Sequence, residues 1–355
     1  ERYSAPGHTP GFRAIREVAE AVSIGLVLET GQVAWGDCVA GPGAGLPGRG
    51  ARFRTREGLA AIEALVAPAL EGRELGPFRE MAALVDGLGE AGSAEEGEEA
   101  APGPRPDVAD ASRRALLSAP FRALRAASRP GPDDQGEGRL LGGRLHPAVR
   151  YGASQALLAA VALEQGATMA EVLTQEWHLP PPQRPIPLLA RCGDERQHGA
   201  ERMILRRIDS LPHASVDNLL EQVGLDGGDL TRTIRWLRDR IARLGGPDYR
   251  PTIHLGLNGA LGQICNGQPG RMLGQIYGWR TAAGPYALRL EDPVLLDSRE
   301  AQIEAMRTLK NYVQMRGLDV QLVADAWATG PEDVRAFLEA EAADAIQVKM
   351  PDLGS

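Results

Sequence analysis

The chain has 355 residues, 43% of them hydrophobic, and a formal net charge of -8. That length accommodates one large domain and a smaller one, and the acidic balance excludes the basic footprint of a nucleic-acid binder while leaving room for small anions. Cys38, Cys192 and Cys265 are odd in number and lack metal-type spacing, and no run of about 18 apolar residues or signal-peptide pattern occurs; a cytoplasmic protein without disulfides, zinc or membrane contact is expected.

In chain order, SIGLVLETGQVAWGDCVA (23–40) reads as two short strands joined by a turn at Thr30 and Gly31, and EGLAAIEALVAPAL (57–70) reads as helix. Together they predict a small α+β unit. From 86 to 140 the text turns to Gly, Ala, Glu, Pro and Arg, which bury little, and a flexible surface insertion is expected. HPAVRYGASQALLAAVALEQG (146–166) then predicts an amphipathic or buried helix.

Six short β-rich runs follow: RPIPLLARC, ERMILRRID, RPTIHLGLN, YALRLED, VQLVADAW and AIQVKMPD. Helical text lies between several of them, with Ile234, Leu237, Ile241 and Leu244 on one apolar face and Ile303, Met306, Leu309 and Val313 on another. Gly317 reads as a C-cap, and a third helix starts at Pro331 with Val334, Phe337 and Leu338 on its apolar face. Alternating strands and helices predict an α/β fold with a parallel sheet, and six such units favour a closed barrel.

In such a barrel, functional side chains sit at the C-terminal strand ends. The alternation turns Ile253, Leu255 and Leu257 outward and His254, Gly256 and Asn258 inward. It also turns Arg289 and Glu291, then Asp325, then Gln347 and Lys349 inward. Two carboxylates on neighbouring strands can hold Mg²⁺, and a nearby lysine can act as general base for a proton next to a carboxylate. The competing reading is a polar barrel layer in which Glu291 and Asp325 are salt-bridged to Arg289 and Lys349.

The motifs GLVLETGQVAWGDCVA, RLHPAVRYGASQALLAAV, GDER, DSLPHASVDN, IRWLRDRIARL, RLEDP, IEAMR, LVADAW and IQVKMPDLGS resemble the 3-methylaspartate ammonia-lyase family of the enolase superfamily. The resemblance runs from about residue 20 to the end, outside the insertion. It implies an α+β capping domain over 1–180 and a modified TIM barrel over 181–355, here truncated after the sixth strand. It also implies a homodimer and Mg²⁺-dependent elimination of ammonia from threo-3-methylaspartate to give mesaconate. By position, Lys349 matches the lysine base and His213 the histidine on the opposite face. Glu291 and Asp325 match two metal ligands, and Gln347 a substrate contact.

Three positions depart from the family pattern. Its third metal ligand, an aspartate, falls on Gly256; a substrate-binding glutamine falls on Arg191; and an acidic residue falls on Ala326. Asn258, two residues beyond Gly256, is a candidate to complete a weakened Mg²⁺ site. Alternatively, Arg191 holds a substrate carboxylate and supplies charge in place of the metal. The remaining alternatives are another superfamily reaction, such as a racemase or dehydratase, and a catalytically altered homologue that binds a small dicarboxylate.

Overall fold

The computed structural model describes residues 20–41, 43–45, 48–89, 144–180, 183–192 and 196–354. The expected insertion lies outside them beyond residue 89. The described chain forms two compact units, one made of Pro185–Val348 and the other of 20–89, 144–184 and the last residues from Lys349.

In the second of these, β1 (Ala21–Val27) and β2 (Val33–Val39) pair as an antiparallel hairpin, Ala21 opposite Val39 and Val27 opposite Val33. The turn closes by Leu28 N–H donating to Gln32 O, with Gly31 at φ +81°, a conformation that favours glycine. Val22, Ile24, Ala34 and Cys38 are buried and their sequence neighbours are mostly exposed, the period of two that the alternation predicts. Helix α1 (Thr55–Ala61) runs through a π-helical stretch, Ile62–Val66, into α2 (Ala67–Leu70), and α3 (Phe78–Asp86) follows. The hairpin's apolar face rests on α4 (Pro147–Gln165). His146 Nδ1 accepts from Ala148 N–H at the start of α4, and Gly166 ends it at φ +62°. A capping box of Thr168 and Glu171 opens α5 (Met169–Glu176).

The approach of β2 to α4 is close because two glycines meet there. A Cβ on Gly36 would collide with Gly152 O, and a Cβ on Gly152 would collide with Cys38 Sγ and the Cys38 backbone. Gly152→Ala is therefore expected to cost at least about 1–3 kcal/mol, the range for overpacking. Thermal unfolding checks this, and an unchanged transition would show the contact to be loose.

The other unit opens with helix α6 (Arg196–Leu205) and then winds strand and helix in turn: β3 (Ser210–Ser215), α7 (Leu219–Gln222), α8 (Gly228–Leu244), β4 (Thr252–Gly256), α9 (Ala260–Ile264), α10 (Pro269–Ala283), β5 (Leu288–Glu291), α11 (Arg299–Met315), β6 (Val320–Ala324), α12 (Pro331–Glu339) and β7 (Ala345–Ile346). The five strands are parallel and lie in chain order, β3-β4-β5-β6-β7. This is a mixed α/β fold with helices between successive parallel strands. Leu230, Ile234, Leu237 and Ile241 of α8 and Met306, Leu309 and Val313 of α11 supply the core-facing stripes, around a fully buried Trp279. Lys349, where the chain returns to the hairpin's unit, caps the short helix α13 (Met350–Leu353).

Two expected strands come out differently, and a third, AIQVKMPD, is a strand only at Ala345 and Ile346, which leaves Gln347 and Lys349 beyond it. RPIPLLARC forms a single parallel bridge, Leu189 to Ser210, because Pro185 and Pro187 have no N–H to give a ladder. ERMILRRID belongs mainly to α6, where Met203 and Ile204 are buried; the strand is the following segment, SLPHAS. Pro212 and the register shift between Leu211 and Ala214 hide that strand from a search for alternation. All three cysteines are free and buried. Among the described residues no single helix is long and apolar enough to cross a membrane.

Candidate active site

The C-terminal ends of β3, β4 and β5 are locked together by register. Ser215 lies opposite Gly256, and Gly256 opposite Glu291. Val216 N–H donates to Gly256 O at 2.7 Å and Leu257 N–H to Glu291 O at 2.8 Å, which carries the pairing past the strand ends. His254 and Gly256 therefore share a face with Glu291, as alternation requires.

On that face His213 Nε2 stands 2.9 Å and 3.0 Å from the two Glu291 oxygens, and His254 Nε2 stands 3.0 Å from Glu291 Oε2. An ionised carboxylate only accepts, so each ring presents an Nε2–H to it. The rings meet edge to face with centroids 5.2 Å apart, which lets both nitrogens converge. Glu291 and His254 are each 3% exposed, so this charge cluster is shielded from water. Burial by itself pushes the Glu291 carboxyl up. The hydrogen bonds and charge of His213 and His254 outweigh it and hold the carboxyl well below its ordinary value.

A depressed carboxyl stabilises the fold above its ordinary value of 4.5 and loses that contribution as pH falls below it. The melting temperature is thus expected to drop between about pH 5 and pH 2, with a shallower slope in Glu291→Gln. Equal slopes in the two proteins would rule this account out.

The pairing of Glu291 with Arg289 is replaced: the Arg289 Nε–H donates to Gln321 Oε1 at 2.6 Å, its cross-strand neighbour. Asp325 is buried just beyond β6, two residues past Val323, the register partner of Glu291. Its backbone is fixed by Asp292, whose carboxylate accepts from Asp325 N–H at 3.0 Å and Ala326 N–H at 2.9 Å. Asp292 holds φ +44° to do so. Asn258 is also left-handed, at φ +46°, and its amide N–H donates to Val216 O at 2.8 Å. Gln347 is half-buried and its backbone N–H donates to Ala324 O, continuing the β6–β7 pairing. Lys349 is half-buried three residues past β7, and Arg191 is exposed beside the start of β3.

The structure thus brings together His213 and Glu291 of the expected set and adds His254 and Asp292. His254 was legible as an inward residue of TIHLG, and Asp292 as the second acid of LED. Composition carries a further signal. Of 39 basic residues only Lys310 and Lys349 are lysines, and Lys310 donates to Glu341 O and Ala343 O at 3.1 Å and 2.9 Å. A chain that otherwise uses arginine has kept an amine at Lys349.

As a Mg²⁺ site, the donors fit in part. Glu291 and Asp325 are buried oxygen donors, and Mg²⁺ commonly keeps several waters beside one or two carboxylates. Gly256 gives no donor, although a Cβ there would point at the cluster, 3.5 Å from Glu291 Oε1.

The family model for the methylaspartate ammonia-lyase C-terminus matches residues 182–355, and that for its N-terminus matches 1–97 and 108–178. The methylaspartate ammonia-lyase of Clostridium tetanomorphum is 34% identical over 99% of this chain and 73% of that protein. Its structure as a Mg complex superposes with a TM-score of 0.73 over 99% of this chain and 74% of that one. The Citrobacter amalonaticus enzyme containing (2S,3S)-3-methylaspartic acid is 32% identical, with a TM-score of 0.77, over 99% and 74% of the two chains. An L-Ala-D/L-Glu epimerase from Bacillus subtilis, at 14% identity and a TM-score of 0.56 over 100% and 73%, shares the fold alone.

Proposed function

The chain belongs to the methylaspartate ammonia-lyase family, and on that premise we propose that it is a carbon–nitrogen lyase that eliminates ammonia from threo-3-methylaspartate to give mesaconate. The observation that carries the reading is the order of polar groups at successive strand ends. His213 lies on β3, Glu291 ends β5, Asp325 follows β6, and Lys349 follows β7.

In this reading Lys349 takes the C3 proton of the substrate. The electron pair of that C–H bond forms the C2–C3 double bond as the C2–N bond breaks and ammonia leaves. His213 serves the opposite face, as base for the other epimer, and Gln347 contacts the substrate. Glu291 and Asp325 would hold Mg²⁺, which when bound supplies positive charge to the substrate carboxylate next to the reacting carbon. Asp292 keeps Asp325 in place through two backbone N–H groups, so the acid does not have to be ordered when substrate arrives. His213 and His254 keep Glu291 ionised in a buried setting.

Formation of mesaconate from threo-3-methylaspartate, with Mg²⁺ and after chelation, tests the proposal. Product that depends on Mg²⁺ is expected. No product under either condition would remove the lyase reading.

A further inference from the structure

We propose that His213, His254 and Glu291 form a binding site for a first-row transition ion of the Zn²⁺ class, one that shares only Glu291 with the oxygen donors assigned above to Mg²⁺. The two imidazole Nε2 atoms and the carboxylate offer one donor each, all within 4.8 Å of one another. The nitrogen–oxygen separations of 2.9 to 3.0 Å are hydrogen-bonded contacts, so a small opening of the three side chains would admit an ion. The site is built rather than incidental. It sits on three register-locked strands, and its rings are angled so that both Nε2 atoms face the same carboxylate.

Donor chemistry decides the ion. Two imidazoles and one carboxylate suit Zn²⁺, Co²⁺ or Ni²⁺, whereas Mg²⁺ takes oxygens. Gly256 sharpens the preference, because it removes an oxygen donor from the position facing Glu291 and leaves the nitrogens unopposed. Nδ1 of His213 and of His254 is buried without a protein partner, so neither ring has the outer hydrogen bond that stiffens a structural zinc site. An exchangeable ion follows, rather than a permanent one. The ion would engage His213 Nε2 and Glu291, so on the lyase reading above it would inhibit. The site itself is read by spectroscopy and stands or falls independently of that reading.

The test is a Co²⁺ titration of the full, untagged, chelator-treated chain, following the visible d–d bands and checking stoichiometry by equilibrium dialysis. One Co²⁺ per chain is expected, bound at least about tenfold more tightly than Mg²⁺. His254→Asn is expected to lower Co²⁺ affinity at least about tenfold and Mg²⁺ affinity by clearly less. If that variant does not fold by circular dichroism, His213→Asn serves the same comparison. Absence of d–d bands, or equal Co²⁺ affinity in wild type and the folded variant, overturns the proposal.

Discussion

Replacing Lys349 by alanine is expected to lower kcat for threo-3-methylaspartate by about 10²–10⁴-fold, the usual share of a positioned general base. The effect should fall on kcat rather than on binding, because the amine is needed when the C3 proton moves. The Lys349 backbone, which alanine keeps, starts α13. Lys310→Ala provides the contrast. Its amine bridges Glu341 O, Ala343 O and the Asp344 carboxylate, so its loss should lower the melting temperature and spare turnover. Steady-state kinetics and thermal unfolding on the two variants separate the roles. A Lys349→Ala enzyme with near wild-type kcat would discard the assigned base.

Gly256→Asp is expected to raise Mg²⁺ affinity at least about tenfold by adding the oxygen donor that the site lacks. The geometry favours it. A Cβ there lies 3.5 Å from Glu291 Oε1 and 3.3 Å from Ser215 Oγ, so a small movement of the serine admits the side chain. Without metal, the variant places a second carboxylate beside buried Glu291, and like charges there should lower the melting temperature below that of wild type. Mg²⁺ at 100 times its dissociation constant should then return about 2.7 kcal/mol. The measurement is the melting temperature of both proteins with and without Mg²⁺. A variant that ignores Mg²⁺ would mean that position 256 does not face a metal.

The amino-acid sequence by itself determined the alternation of strands and helices, the apolar faces of α8 and α11, the hairpin at Thr30 and Gly31, and the shared face of His254 and Glu291. These follow from periods of 2 and 3.6 and from local turn chemistry, which a chain carries whatever its neighbours are. Local text failed where another rule overrode it. Prolines reduced RPIPLLARC to one bridge, and a proline with a register shift concealed β3 inside SLPHAS.

Partnership was decided only by the tertiary structure. Arg289 stands two residues from Glu291 and looked like its counter-ion, yet it bonds to Gln321, and the carboxylate is held by two histidines from β3 and β4. Asp292 orders the backbone of Asp325, 33 residues away. Such choices depend on strand register and on which ends meet, and these are fixed by packing across the whole sheet rather than by any window of sequence.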